Sequence, residues 1–299
     1  MKPFKNVKHL RVDKPKKFRL GDVDPADCGG FDVEKDEAKA LLADGAKRLA
    51  ELQERLYAQD RWAVLAIFQA MDAGGKDGAI KHVMSGVNPQ GVQVFAFKAP
   101  SAQELDHDFM WRTTVNLPER GRIGIYNRSY YEEVLVVRVH PELLGRAKLP
   151  PELVTNDIWK ERFTDINTFE RYLSRNGTVI LKFFLHISKE AQRRRFLDRL
   201  DDPAKRWKFS MGDVAERELW DRYMHAYEDM IRHTSTEEAP WYVIPADNKW
   251  FARLMVAAAL ADVMEGLGLE FPKIEGPALR EMMKVRKALL AEKPGTSSE

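Results

Sequence analysis

Between Ala63 and Gly78 the chain reads Ala-Val-Leu-Ala-Ile-Phe-Gln-Ala-Met-Asp-Ala-Gly-Gly-Lys-Asp-Gly, an apolar run that ends abruptly in glycines flanked by charge. Glycines let several backbone N–H groups converge on one point, and the helix start after such a turn adds unpaired donors and positive potential. A phosphate is the ligand that this arrangement suits. Lys76 can neutralise a phosphoryl oxygen, whereas Asp72 and Asp77 would repel a bare phosphate and so call for a hard cation, most simply Mg²⁺. Against the pattern G-x-x-x-x-G-K-[ST], Gly75 and Lys76 fit, but Ala70 replaces the first Gly and Asp77 replaces the Ser/Thr. The plain alternative is a strand–turn–helix corner whose Lys and Asp side chains are solvated.

Two other groups of residues have chemical potential. Asn127-Arg128-Ser129-Tyr130-Tyr131-Glu132-Glu133 begins just past an expected strand at 122–126, and ligands of α/β folds meet the carboxyl ends of strands. Further on, Lys189, Arg193, Arg194, Arg195, Arg199, Lys205, Arg206 and Lys208 form the densest positive region. Helical residues at i and i+4 share a face, so several guanidinium groups can line a groove for a polyanion or for nucleotide phosphates. Interleaved Glu190, Asp198, Asp201 and Asp202 equally allow a solvated, salt-bridged face. His107 lacks a nearby thiol or second His, so a structural or substrate-orienting hydrogen bond is preferred to metal ligation.

These groups need elements to hold them. The 299 residues, 44% of them hydrophobic, suffice for one large core with an appendage, and a net charge of +2 does not by itself imply nucleic acid. The single cysteine, Cys28, excludes an internal disulfide framework and a multi-cysteine metal site. With no apolar signal core and no membrane-length stretch, the expectation is a soluble cytoplasmic protein. Residues 1–33 read as an extended basic arm, free on the surface or wrapping a neighbouring subunit. A long amphipathic helix follows at 34–57.

Strands are expected at 63–69, 92–97, 122–126, 178–185 and 240–245. Helices are expected after the glycine turn (78–84), from a Ser101–Glu104 capping box through Arg112, and at 134–139, 156–173, 189–200, 216–233 and about 249–267. Residues 271–299 read as a charged helix and a flexible tail from Lys293. Strands alternating with helices predict a three-layer α/β/α fold with a mostly parallel sheet, within a domain spanning 34–270.

The ordered blocks Asp72–Gly78, His107–Arg112, Asn127–Glu132, Phe183–Ser210, Ala239–Trp241 and Ala246–Trp250 together resemble the family-2 polyphosphate kinases over roughly residues 35 to 270. The resemblance implies a P-loop kinase-like fold with a helical lid at about 188–215. It also implies Mg²⁺-dependent, reversible phosphoryl transfer from inorganic polyphosphate to AMP or ADP, giving ADP and ATP, with Mn²⁺ as a substitute cation. By the same resemblance Asp72, Lys76 and Arg128 are catalytic. Asp72 holds the metal, and Asp77 either binds it through water or caps the helix. Ala73, Gly74, Gly75, Asp77, Gly78, Lys189, Arg193, Arg194, Lys205, Arg206 and Lys208 face phosphate, and Asn127, Glu132 and Arg112 lie on the nucleotide side. Many members carry Asp where this chain has Asn127; Asn127 with Glu132 resembles the subgroup that accepts both AMP and ADP. A homo-oligomer, dimer or tetramer, is implied as well. The competing readings are an ATP-dependent nucleoside monophosphate kinase and a non-enzymatic polyanion or RNA binder. The carboxylate–glycine–lysine turn argues against the last, because backbone binding needs neither Asp72 nor a metal.

Overall fold

The computed structural model describes residues 7–30 and 35–292. The expected helix start at Glu34, the outer parts of the arm (1–6 and 31–33) and the tail from Lys293 lie outside the described residues. In chain order the elements are α1 (Lys35–Gln59), β1 (Ala63–Gln69), α2 (Lys76–Val83), β2 (Val92–Ala96), α3 (Ala102–Leu105), α4 (Trp111–Thr114), β3 (Ile123–Asn127), α5 (Val136–Val139), α6 (Ile158–Arg175), β4 (Thr178–His186), α7 (Lys189–Asp201), α8 (Met211–Glu218), α9 (Trp220–Thr234), β5 (Trp241–Pro245), α10 (Lys249–Glu265) and α11 (Gly276–Ala291).

All five strands are parallel, in the order β2-β3-β1-β4-β5. The continuous apolar run of β1 is explained by this place: the strand is central, and every residue of it is buried. Helices α1, α2 and α10 pack together as one layer, and α5, α6 and α9 pack as the other. This is the expected three-layer fold. From β1 the chain crosses to the edge strand β2, returns to β3 beside β1, and then passes to β4 and β5 on the other side. That reversal of direction opens a crevice at the carboxyl end of β1. Because the strands are parallel, the loops after β1, β3, β4 and β5 all emerge along the same edge.

Three local details differ from expectation. The capping box forms, with Ser101 N–H donating to Glu104 Oε2 at 2.6 Å and Glu104 N–H donating to Ser101 Oγ at 3.2 Å. The helix it starts nevertheless ends at Leu105. Asp108 Oδ1 then accepts from Met110 N–H at 2.9 Å, a side-chain turn that competes with helical continuation. The expected helix at 216–233 is two helices, breaking at Leu219 between α8 and α9. The described part of the arm folds back on its own domain: Val7, Leu10 and Leu20 are buried, and Val12 N–H donates to Trp241 O at 2.9 Å. The arm thereby covers part of the exposed edge of β5. Among the described residues, no helix is long and apolar enough to cross a membrane.

Candidate functional site

The turn after β1 owes its shape to small residues. Ala73 and Gly75 both take left-handed backbone conformations, φ 59° and 99°, which glycine adopts freely and alanine at some cost. Gly74 is required for space, since a Cβ there would lie 2.5 Å from Ala70 Cβ and 2.7 Å from Met71 O. The departure at Ala70 is thus accommodated: its methyl packs where Gly74 has no side chain. Gly75 is the N-cap of α2 and offers no side-chain cap, so the first-turn amides of that helix remain available to an anion.

Lys76 opens α2 and is 8% exposed, its Nζ donating to Ala70 O at 2.8 Å. Burial, then the neighbouring Arg128, brings its pKa down to about 8, against the opposing pull of Asp72, Glu132 and Asp77. Arg128 follows β3, also left-handed at φ 66°. Its Nη2 donates to Asp72 Oδ1 at 2.7 Å and its Nη1 to Glu132 Oε2 at 3.2 Å. Glu132 first, and then Asp72, hold the guanidinium more firmly protonated than usual. Asn127 Nδ2 donates to Asp77 Oδ1 at 2.7 Å. A carboxylate at position 127 would instead meet that of Asp77 at the same separation, and like charges so close cannot both stay ionised without a cation.

The conformation of the Arg128 segment is fixed from beneath. Tyr130 Oη and Tyr131 Oη both donate to Glu170 Oε1 at 2.8 Å, and Glu170 Oε2 accepts from Lys182 Nζ at 2.6 Å. Lys182 also donates to Tyr131 Oη at 2.8 Å and Thr234 O at 2.6 Å. Glu170 and Lys182 are 1% and 0% exposed, which explains a lysine in an otherwise apolar strand.

A cavity of about 850 Å³ lies over the turn and is lined by Asp72, Ala73, Gly74, Gly75, Lys76, Asp77, Gly78, Asn127 and Arg128 from among the expected residues. Lys205 and Lys208 also line it; Lys189, Arg193, Arg194 and Arg206 do not. The shared helical face that meets the cavity is instead that of Arg195 and Arg199, while Arg193 is bound to Glu190 on the exposed side at 2.8 Å. Arg195 is the member of the positive run that docks on the glycine turn. It donates to Ala73 O at 3.0 Å and Asp247 O at 3.1 Å, and also to Ala246 O.

Four other lining residues, Lys98, Asp213, Lys249 and Arg253, were missed. Lys249 and Arg253 share a face just beyond the carboxyl end of β5, so the strand-end rule used for Asn127–Glu133 would have found them. Asp213, paired with Arg199 at 3.3 Å, has its carboxyl pKa raised by burial and by the charge of Asp72.

Glu132 and Arg112 come together in a second, smaller pocket of about 130 Å³ with Glu104, Phe109, Glu133 and Arg162. Arg112 Nη2 donates to Lys98 O at 2.8 Å, and its Nε lies 3.3 Å from Glu104 Oε1. His107 stacks on Trp111 at 4.0 Å between ring centroids and also lines this pocket. Among the described residues, no three His, Cys, Asp or Glu side chains converge as a metal-binding group. Asp72 and Asp77 offer separate carboxylates beside a phosphate-sized cradle. That donor set fits Mg²⁺, which takes one or two carboxylates and fills its shell with phosphate oxygens and water.

Comparison with known proteins gives a consistent picture. The family described as Polyphosphate kinase 2 (PPK2) matches residues 32–270. The chain is 52% identical to the ADP-polyphosphate phosphotransferase of Rhodopseudomonas palustris, over 93% of this chain and 99% of that protein. It is 49% identical to the AMP/ADP-polyphosphate phosphotransferase of Meiothermus ruber, over 90% of this chain and 97% of that protein. The crystal structure of Polyphosphate Kinase 2 from Arthrobacter aurescens TC1 superposes with a TM-score of 0.85 at 43% identity, covering 94% of this chain and 96% of that one. The sheet and helical layers are those of a P-loop kinase-like fold.

Proposed function

Because the chain belongs to the polyphosphate kinase 2 family, we propose that it moves a phosphoryl group reversibly from inorganic polyphosphate to ADP and to AMP, forming ATP and ADP, in a Mg²⁺-dependent reaction with Mn²⁺ as a substitute. One observation carries this reading beyond membership. Arg128 joins Asp72, which lines the large basic cavity, to Glu132, which lines the small pocket, by hydrogen bonds of 2.7 and 3.2 Å. It stands where a donor held in one space would meet an acceptor held in the other.

On this reading polyphosphate lies in the large cavity against Arg195, Arg199, Lys205, Lys208, Lys249 and Arg253, and its terminal unit rests on the first-turn amides of α2 and on Lys76. The nucleotide enters from the side of Glu132 and Arg112. A non-bridging oxygen of its terminal phosphate attacks the terminal phosphorus of polyphosphate. A new P–O bond forms as the bond to the adjoining bridging oxygen breaks, and that electron pair stays with the chain shortened by one unit. The attacking oxygen is already anionic, so no general base is needed. Catalysis comes from alignment and from neutralising the transferring group by Lys76 and Arg128.

Asp72 would hold Mg²⁺, with Asp77 a second candidate ligand, and the ion would supply further charge neutralisation on the phosphate oxygens. The segment 188–215 serves as a lid over the cavity, excluding water that would compete as acceptor. Nucleotide acceptors and the free thiol of Cys28 suit a cytoplasmic setting.

The test is incubation of purified protein with polyphosphate, Mg²⁺ and ADP or AMP, with nucleotides resolved by chromatography. ATP from ADP and ADP from AMP are expected. Phosphorylation of AMP by ATP, with none by polyphosphate, would replace this reading with a nucleoside monophosphate kinase.

A further inference from the structure

The glycine turn is held from outside as well as from within. Gln192, on α7, is fully buried at 0% exposure, and its Nε2 donates to Asp72 O at 3.0 Å. The next carbonyl, Ala73 O, accepts from Arg195 at 3.0 Å. Two successive carbonyls of the turn, the second on a left-handed alanine, are therefore tied to one helix. The other end of the Gln192 amide faces α8: Oε1 accepts from Arg217 Nη1 at 2.9 Å, and the same nitrogen donates to Lys189 O at 2.6 Å. Helix α8 also carries Asp213, one turn before Arg217, into the cavity.

A primary amide has distinct ends, and this one is used at both. If α8 moves away, the buried Oε1 loses its donor, and the orientation of the amide that holds Asp72 O is no longer fixed at both ends. Arg217 touches neither the turn nor, among the described lining residues, the cavity; it reaches the turn through α7, by the Gln192 side chain and the Lys189 carbonyl.

We propose that Gln192 is a positioning residue that links the seating of α8, through Arg217, to the conformation of Asp72–Ala73, so that closure over the cavity and assembly of the phosphate cradle are one event. This rests on the phosphoryl-transfer reading above. It concerns kcat, because the strut sets how the turn meets the transferring group and leaves the cations that bind the rest of the polyphosphate chain in place.

The test is a double-mutant cycle of Gln192→Met and Arg217→Met, assayed by ATP formation from polyphosphate and ADP with thermal unfolding followed in parallel. Each single variant should lower kcat roughly tenfold with KM for polyphosphate nearly unchanged, and the double variant should be no worse than either single. Arg217→Lys, which keeps one donor, should recover most of the loss.

Gln192→Glu decides the matter if Gln192→Met does not fold. It keeps an acceptor for Arg217 but presents an oxygen to Asp72 O, and kcat should fall although the α8 contact survives. Losses that multiply in the double variant, losses confined to KM, or wild-type kcat in Gln192→Glu would each overturn the proposal. Absence of ATP formation by the wild-type protein would instead overturn the underlying function, so the two failures are distinguishable.

Discussion

Two lysines in this molecule are both buried beside carboxylates, and they are held in opposite ways. Lys182 has its three ammonium protons matched to three acceptors, Glu170, Tyr131 and Thr234, at 2.6 to 2.8 Å. Among the described residues Lys76 makes one hydrogen bond, to Ala70 O. Its neighbouring carboxylate Asp72 is bound to Arg128. Burial lowers the pKa of both, but at Lys182 the opposing force is a partner in contact, Glu170, whereas at Lys76 Arg128 adds to the lowering. The first cluster is closed on itself. The second is under-satisfied and opens on a cavity. Satisfaction, more than burial or charge, separates the structural cluster from the functional one.

The comparison can be broken most severely at the second cluster. Lys76→Ala should lower phosphoryl transfer by at least about 10²–10³-fold, the scale of losing one group that neutralises developing charge. Asp72→Ala should nearly abolish transfer even at saturating Mg²⁺. Both should unfold much closer to the wild-type temperature than a variant of the Lys182 cluster, because each loses a single hydrogen bond beside an open cavity. Unchanged turnover in either variant, or gross unfolding of both, would erase the distinction.

At the first cluster the effect moves from turnover to stability. Lys182→Met leaves Glu170 charged and buried, and should cost about 3–5 kcal/mol of unfolding free energy. Urea titration measures this, and turnover per folded molecule should fall much less than in Lys76→Ala. A stability close to wild type would mean that the network is not the support of the Arg128 segment described above.

The pH dependence sharpens the same contrast. In the free enzyme Lys76 loses its proton as pH rises through about 8, so kcat/KM for polyphosphate should decline there, while kcat stays level to higher pH because bound polyanion retains the proton. Between about 8 and the ordinary lysine value of 10.5 the unfolded chain binds more protons at this position than the folded one. This residue's contribution to stability therefore becomes more favourable as pH rises through that window. Lys76→Met should remove that component, as denaturation at a series of pH values would reveal.

The smallest effects are expected within the basic segment that follows β4. Arg193→Ala removes an exposed ion pair with Glu190 and should change kcat/KM and stability little, since solvent screens such a pair. Lys208→Ala removes a cation that lines the cavity and should raise KM for polyphosphate, more so at low salt. Equal effects of the two substitutions would contradict the division between cavity-lining and outward-facing cations.

How far these distinctions can be read from sequence varies with their range. The buried strands β1 and β4 are written as continuous apolar runs, and the glycine turn is local in the chain, so both were legible. The rotation of α7 was not: Arg193, Arg194 and Arg195 are adjacent in a basic run, and only the docking of Gln192 and Arg195 onto the turn selects the inward face. The turn at 106–110 cut short the helix that the capping box starts, through the Asp108 side chain, a preference too local for helical periodicity to register. Asn127 holds Asp77, 50 residues earlier in the chain, a contact that no local pattern announces. Glu170 and Lys182 are likewise separated by 12 residues on different elements, and no spacing rule joins them. Residues that converge along the carboxyl edge of a parallel sheet, such as Asp72, Arg128, Asp213 and Arg253, become a site only through topology.

The central claim is that phosphoryl transfer from polyphosphate takes place at the under-satisfied cluster. It is tested most directly by ³¹P NMR of polyphosphate of defined length with ADP and Mg²⁺, counting terminal phosphate lost against ATP formed, with wild-type and Lys76→Ala proteins side by side. The account predicts one ATP for each phosphate lost with the wild-type protein and almost no transfer with the variant. Loss of phosphate without ATP, or equal ATP formation by both proteins, would contradict it.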